Sequence, residues 1–234
     1  MKQLETTLSA QAKMLGAEFY GVTMLENIED HHHKIPHQLL NNYDKAISIG
    51  MVMPNSLVEN MINEDYDFAI ELYNHFFNEV IVPNLERTAL IITNFLEKSG
   101  FKAFSLPVNL ANFNQQHPEY FHHLIASYAG LGWLGKNNRL VNATYGTRIN
   151  CITILTNADL EPSETVENGC KQCTLCIDKC SFGALSGVPF HPHHDINDRC
   201  NSEKCVNKPI KIEPNKRSLN LKCGICYTIC PYNK

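Results

Sequence analysis

The sequence predicts an α+β fold of stacked layers over residues 1–160 and a small cysteine-rich domain over residues 161–234, on three observations. Apolar segments of helical period alternate with short strand-like runs as far as about Leu160, the pattern of a layered α/β or α+β domain. The stretch EPSETVENG at 161–169 is polar, breaks the alternation and reads as a linker. Nine of the ten cysteines lie beyond it. A chain of 234 residues can bury a sizeable core, and so short and polar a tail cannot supply all of it, so the larger core belongs to the first domain.

The elements follow in order. Leu4, Leu8, Ala12 and Leu15 stand at helical spacing before Gly16, which predicts a helix over 2–15 with a glycine stop. Glu18 to Leu25, with Phe19, Tyr20, Val22 and Met24, predicts a first strand, and Lys45 to Met53 a second, buried one. Between them lies Asp30-His31-His32-His33-Lys34. Three adjacent side chains of a helix or strand cannot converge on one ion, so this run reads as a solvated loop. From Asp65 to Lys98 the pattern is helical, and Pro83 should divide it into two helices or kink it. Ser99-Gly100 closes that segment, and Phe101 to Val108 is a third strand. Residues 109–116 read as a polar loop before a helix from Pro118 to Ala129. Strands over Arg139–Asn142 and Thr147–Thr156, joined by a turn through Tyr145-Gly146, complete the domain.

Composition narrows the class. Hydrophobic residues make up 44% and charged residues 19%, with no run long and apolar enough for a membrane span. No charged segment followed by an apolar one opens the chain, so a soluble protein in a reducing, cytoplasmic compartment is expected, with no membrane partner. The net charge of -4 is uneven: residues 199–234 carry eight Lys or Arg against Glu203 and Glu213. That basic end either offsets anionic groups bound nearby or offers a docking surface to an acidic electron donor or a nucleic-acid backbone.

The cysteines carry the chemistry. Cys170, Cys173, Cys176 and Cys180 read C-x2-C-x2-C-x3-C, in which three thiolates of one tight loop occupy three corners of a cubane and the fourth turns to a neighbouring cluster. Cys223, Cys226 and Cys230, followed by Pro231, form a ferredoxin-type half lacking one ligand, which Cys200 or Cys205 must supply. Two 4Fe–4S clusters with exchanged ligands are expected. One takes Cys170, Cys173, Cys176 and Cys230; the other takes Cys180, Cys223, Cys226 and either Cys200 or Cys205. A zinc site pairs two C-x2-C knuckles and has no use for the third close cysteine or the terminal Cys-Pro. Cys151, in the apolar run Cys151-Ile152-Thr153-Ile154-Leu155, reads as a buried small hydrophobe.

Gly130-Leu131-Gly132-Trp133-Leu134-Gly135-Lys136-Asn137 matches G-x-G-x-x-G and nearly matches a phosphate-binding loop. Both motifs need a strand before and a helix after, and here the order is reversed, with Asn137 where the Mg2+-binding hydroxyl belongs. Nucleotide binding is therefore rejected. Gly130 reads as a helix stop. Three glycines about the only tryptophan read as a backbone kept bare for a flat cofactor or cluster, with Gly130, Gly132, Trp133, Gly135 and Lys136 as cofactor-binding candidates.

These residues carry a resemblance. His122-His123-Leu124-Ile125-Ala126-Ser127-Tyr128 running into that glycine loop, then Tyr145-Gly146, Ile154-Leu155-Thr156 and the cysteine tail ending Cys230-Pro231-Tyr232-Asn233-Lys234, resemble the epoxyqueuosine reductase family, itself related to cobalamin-dependent reductive dehalogenases. The resemblance covers residues 118–234 well and the N-terminal hundred loosely. It implies a nitroreductase-like cobalamin-reductase domain packed on a ferredoxin-like two-cluster module that passes single electrons to a corrinoid. It also implies Cys200 as the eighth ligand. Where the family has an Asp-Tyr-His segment this chain offers Asp65-Tyr66-Asp67, which leaves the catalytic acid unassigned among Asp65, Tyr66 and His123. Ser181 replaces the usual proline after the fourth cysteine, a position that ligates nothing. The family's tRNA-contacting helical repeats follow the second cluster, whereas this sequence ends at Lys234, so a nucleic-acid partner is not expected.

Other ionisable residues have plain roles. Of the adjacent His122 and His123, about 100° apart on a helix, at most one can face a reacting centre and the other is expected at the surface. Lys136 and Arg148 read as solvated or as cofactor contacts, and His191, His193 and His194 as a proline-rich connector. The expectation is thus an iron–sulfur reductase fed by a low-potential ferredoxin or flavodoxin, acting on a bound corrinoid or small substrate. The alternative is a ferredoxin-type carrier that reduces a separate corrinoid protein.

Overall fold

The computed structural model describes residues 2–28, 41–63, 66–109, 119–206 and 223–233. Its centre is a four-stranded antiparallel sheet built from β1 (Phe19–Met24), β2 (Lys45–Val52), β3 (Ala103–Leu106) and, after two short strands, β6 (Ile149–Thr156), in the order β1-β2-β6-β3. Ile47 stands opposite Ile154 and Ile49 opposite Ile152, so the apolar positions of the two central strands stay in register. Every residue of β6 is buried. Its unbroken INCITILT run has that cause, since both faces of the strand are covered.

Strand alternation deals the two faces to different partners. Ile47, Ile49, Met51, Ile152 and Ile154 pack under Leu8 and Ala12 of α1 (Lys2–Met14) and a succession of helices: α2 (Asn55–Asn63), α3 (Tyr66–Phe76) and α4 (Val82–Lys98). Pro83 marks a change of winding in the long helical stretch, which stays in the right-handed helical region through the junction. It sits in the first turn of α4, where its missing N–H costs nothing, and a π-helical turn, Phe77–Ile81, precedes it. The opposite face holds Ala46, Cys151 and Leu155 against Phe121, Ile125 and Ala126 of α5 (Tyr120–Tyr128) and against Ala129 just after it. Gly21 of β1 permits that closeness, because a Cβ there would run into the Ala129 carbonyl.

A small hairpin of β4 (Trp133–Leu134) and β5 (Leu140–Val141) follows α5. Beyond β6, among the described residues, come only single turns of helix: α6 (Leu175–Asp178), α7 (Ile196–Arg199), α8 (Ser202–Val206) and α9 (Ile225–Thr228). The stretch read as a linker does not hang free. Ser163 donates its amide to the Val22 carbonyl at 2.8 Å and accepts the Val22 amide on Oγ at 3.0 Å, so the chain runs along the edge of β1. A β-rich edge with unpaired amides captures whatever passes beside it. The sequence also gave no sign of α2 or of β4, which is only two residues long. The histidine run 31–33 and the polar loop over 110–116 lie outside the described residues.

Candidate functional site: two groups of thiols on one hairpin

Cys170, Cys173, Cys176 and Cys230 line one cavity with Lys136, Asn137, Val141, Pro231 and Tyr232. The backbone of the first run is tightly wound: the Cys173 amide donates to the Cys170 carbonyl at 2.8 Å, and Lys171 takes a positive φ of 39°. Burial pushes the Cys176 thiol up to about 11, and the thiols of Cys170, Cys173 and Cys230 add to it. Cys230 is also pushed up to about 11, by burial first. Thiols crowded in this way lose protons readily only to a cation or cluster that takes the thiolates as ligands.

The second group gathers from separate parts of the tail. Cys200, Cys205 and Cys226 line a cavity with Glu119, Asn138, Arg139, Leu185 and Tyr227, among others. Cys180, Cys205 and Cys226 pack around Ala184, Leu185 and Cys200, with Cys176 of the first group at their border, and Cys180 bears on Cys200. Cys223 bears on Cys226, whose thiol is raised well above its ordinary value, by burial before that neighbour. Cys200 is raised chiefly by a hydrogen bond with Cys205. Five thiols therefore meet where four were expected. Cys180 belongs to this group while Cys230, from the other run, belongs to the first. Four-thiol donor sets of this kind suit a cubane, each of whose irons takes one sulfur. Among the described residues no group of three or more His, Cys, Asp or Glu is arranged as ligands of a single metal ion.

One turn, Gly135 to Arg139 between β4 and β5, grips both groups. Gly135 donates to the Arg139 carbonyl at 2.8 Å and Asn138 takes a φ of 59°, which leaves the intervening side chains pointing into the tail. Lys136 Nζ donates to the carbonyls of Lys171 at 2.8 Å and Cys173 at 3.0 Å, holding the first loop. Asn137 Nδ2 donates to the Cys226 carbonyl at 2.9 Å, in the second. Arg139 lies 4.0 Å above the Tyr227 ring and donates to Glu119 Oε1 at 2.8 Å, an ion pair buried beside Cys226. Arg199, fully buried, donates to the Gly135 carbonyl at 2.6 Å. At the far end Thr147 donates through Oγ1 to the Tyr227 carbonyl at 2.7 Å and through its amide to Asn233 Oδ1 at 2.9 Å.

Several expectations are corrected here. The glycine loop is not bare. A Cβ on Gly132 would strike the Val141 carbonyl, one on Gly130 the Glu164 carbonyl, and one on Gly135 would meet Asn137 Oδ1 and Val141 Cγ2 at 2.7 Å. On the Cβ side of these glycines the close approach is of the chain to itself. Gly130 is the helix stop expected of it, with φ 78°. Trp133 and Lys136 reach the first thiol loop instead. Lys136 and Arg148 are both buried, not solvated; Arg148 Nη1 donates to the Met53 carbonyl at 3.1 Å.

Neither histidine of α5 reaches the surface. His122 is pinned between Thr153 Oγ1 at 2.9 Å and the Pro107 carbonyl at 3.1 Å, and burial lowers its pKa to about 4, so it is neutral at pH 7. His123 is buried next to it. Asp65 lies outside the described residues, and Tyr66 starts α3 far in sequence from either thiol group. Cys151 is buried against Ala126 and Leu131, its thiol pushed up to about 12 by burial, as a structural cysteine should be. Glu119, Arg139 and Arg199 were missed. Nothing in their spacing marks them, because their partners are distant in sequence.

No protein-family model matches the chain. It is similar to the curated epoxyqueuosine reductase of Lactococcus garvieae, 27% identical over 210 residues, which covers 85% of this chain and 54% of that protein. The chain thus spans about half the length of that relative. Among solved structures, an epoxyqueuosine reductase with an epoxyqueuosine-modified tRNA-Tyr stem loop superimposes with a TM-score of 0.65 at 19% identity, over 99% of this chain and 66% of that one. A reductive dehalogenase described in terms of B12-dependent dehalogenation gives 0.70 at 21%, over 97% of this chain and 31% of that one. The mixed helix-and-strand fold is the one these proteins have, and the resemblance read from the glycine loop and the cysteine tail holds. The expectation that nucleic acid is not a partner finds no support, since a protein of this fold was solved with a tRNA stem loop. Among the described residues no helix is long and apolar enough to cross a membrane.

Proposed function

We propose that this chain is an iron–sulfur oxidoreductase of the epoxyqueuosine reductase type. Cys170, Cys173, Cys176 and Cys230 would hold one 4Fe–4S cluster, and Cys180, Cys200, Cys223 and Cys226 the other. The observation that carries the reading is the placement of two thiols, Cys230 in the cavity of the first run and Cys180 close enough to bear on Cys200. Bound there, the clusters supply one-electron transfer, fed from a low-potential donor such as a ferredoxin or flavodoxin.

The chain's own residues hold and insulate. Lys136 and Asn137 fix the carbonyls of both ligand loops, and Arg139 sets a positive charge beside Cys226 that favours a more reduced, more negative neighbour. The similarity supports a corrinoid as electron acceptor and a modified tRNA base as substrate, in place of the small substrate first expected. The second reading is an electron carrier that reduces a separate corrinoid protein, and the chain's own packing against the Cβ side of the glycines favours it.

Anaerobic purification with iron and sulfide analysis, followed by absorption titration with cobalamin, tests both. About eight irons per chain and a corrinoid spectral shift support the reductase, and epoxyqueuosine-containing tRNA is then the substrate to assay. About eight irons with no shift support the carrier. Absence of iron from anaerobically reconstituted protein sinks both. The fifth thiol is decided by the same analysis: Cys200→Ser should halve the iron and Cys205→Ser should leave it unchanged, and the reverse result makes Cys205 the ligand.

A further inference from the structure

Trp133 is the single tryptophan of the chain, and its indole Nε1 donates to Cys170 Sγ at 3.3 Å. The ring is held in that aim from several sides. Tyr232, just beyond Cys230, packs edge-on with centroids 5.0 Å apart and planes at 78°, while its hydroxyl donates to the Gly169 carbonyl at 3.1 Å. Gly169 itself leaves no slack, since a Cβ there would lie 2.7 Å from Trp133 Cζ2. The indole is thus clasped between the residues before the first thiol of its group and the residues after the last. Trp133 is 5% exposed, so water does not compete for the sulfur.

An N–H directed at a ligating sulfur draws electron density from it and favours the reduced form of a cluster, which carries the extra negative charge. We propose that Trp133 raises the reduction potential of the cluster held by Cys170, Cys173, Cys176 and Cys230, through its hydrogen bond to the Cys170 sulfur. The proposal rests on the two-cluster reading above. In the second group Cys180 Sγ accepts at 3.3 Å from the backbone amide of Ala184, within its own loop. Trp133 is therefore a positioning and tuning residue, and a role in packing alone would leave the potential where it is.

The test uses the full chain, reconstituted anaerobically, with iron analysis and a redox titration followed by electron paramagnetic resonance. Trp133→Phe keeps the aromatic body and removes the N–H. The expected result is about eight irons retained, one cluster signal titrating at lower potential and the other unmoved. Because the chain has one tryptophan, growth on 5-fluorotryptophan alters this position alone and makes its N–H a stronger donor, so the same signal should move to higher potential. Full iron with both potentials unchanged in the two proteins overturns the proposal. Should the phenylalanine variant fail to fold, the fluorinated protein decides, an upward shift supporting the proposal and no shift ending it. A wild-type protein that assembles no clusters fails the two-cluster reading itself, and the inference falls with it, a result distinct from clusters that assemble but do not shift.

Discussion

The two thiol groups hang from one hairpin turn, yet they are built in opposite ways. Three thiols of the first come from a single tight loop whose carbonyls Lys136 holds and whose first sulfur Trp133 caps. The second is assembled from stretches around residues 180, 200–205 and 223–226, packed about Ala184 and Leu185 and backed by the buried Arg139–Glu119 pair. A site written into local spacing needs only fastening. A site made of distant pieces depends on everything that brings them together.

Ligand removal gives the largest effect and breaks the pairing most directly. Cys230→Ser should abolish the first cluster and Cys180→Ser the second, each leaving about four irons per chain on analysis, with distinct resonance signals remaining. If Cys180→Ser instead strips the first cluster, the exchange of thiols is wrong.

Next is the buried pair behind the second group. Arg139→Met leaves the Glu119 carboxylate in the interior without its cation and should cost about 3–5 kcal/mol, lowering the midpoint of thermal unfolding. The first cluster should survive at temperatures where the second is lost, a difference visible in iron retention on stepwise heating.

The platform under both groups supplies an acid-sensitive effect. His122 has its folded pKa lowered to about 4 from the ordinary 6.5 by burial, so the unfolded chain binds its proton first as pH falls. Its contribution is complete above pH 6.5 and is lost as pH falls toward 4, a loss of about 3 kcal/mol. Unfolding curves measured across that window should fall more steeply for the wild type than for His122→Gln.

The smallest change sharpens the contrast from the other side. Lys136→Met keeps the aliphatic stem and removes two charge-assisted bonds to the first loop, costing about 2 kcal/mol. Iron should leave the first site faster in a chelator challenge while the second is unaffected.

Much of this was legible in the sequence. Leu8 and Ala12 announced α1, the AISIGMV run announced a buried strand, and Pro83 marked the change of winding in the long helical stretch, because each signal is local and periodic. The two-residue β4 left no such trace, being a strand only through its pairing with β5. The glycine loop was legible only in part. Its glycines do mark close approach, but spacing cannot say what approaches, and the answer is the chain's own Val141 and Glu164 carbonyls.

By itself the sequence determined most of the strands and helices and the tight spacing of the first thiol loop, which depend on neighbours a few residues apart. Only the tertiary structure decided that residues 161–169 bind the edge of β1, that Lys136 and Arg148 are interior, and that Trp133 donates to Cys170. The physical reason is common to all three. A charged or polar group finds its partner across the fold, and no residue type or spacing records which distant carbonyl or sulfur it will meet.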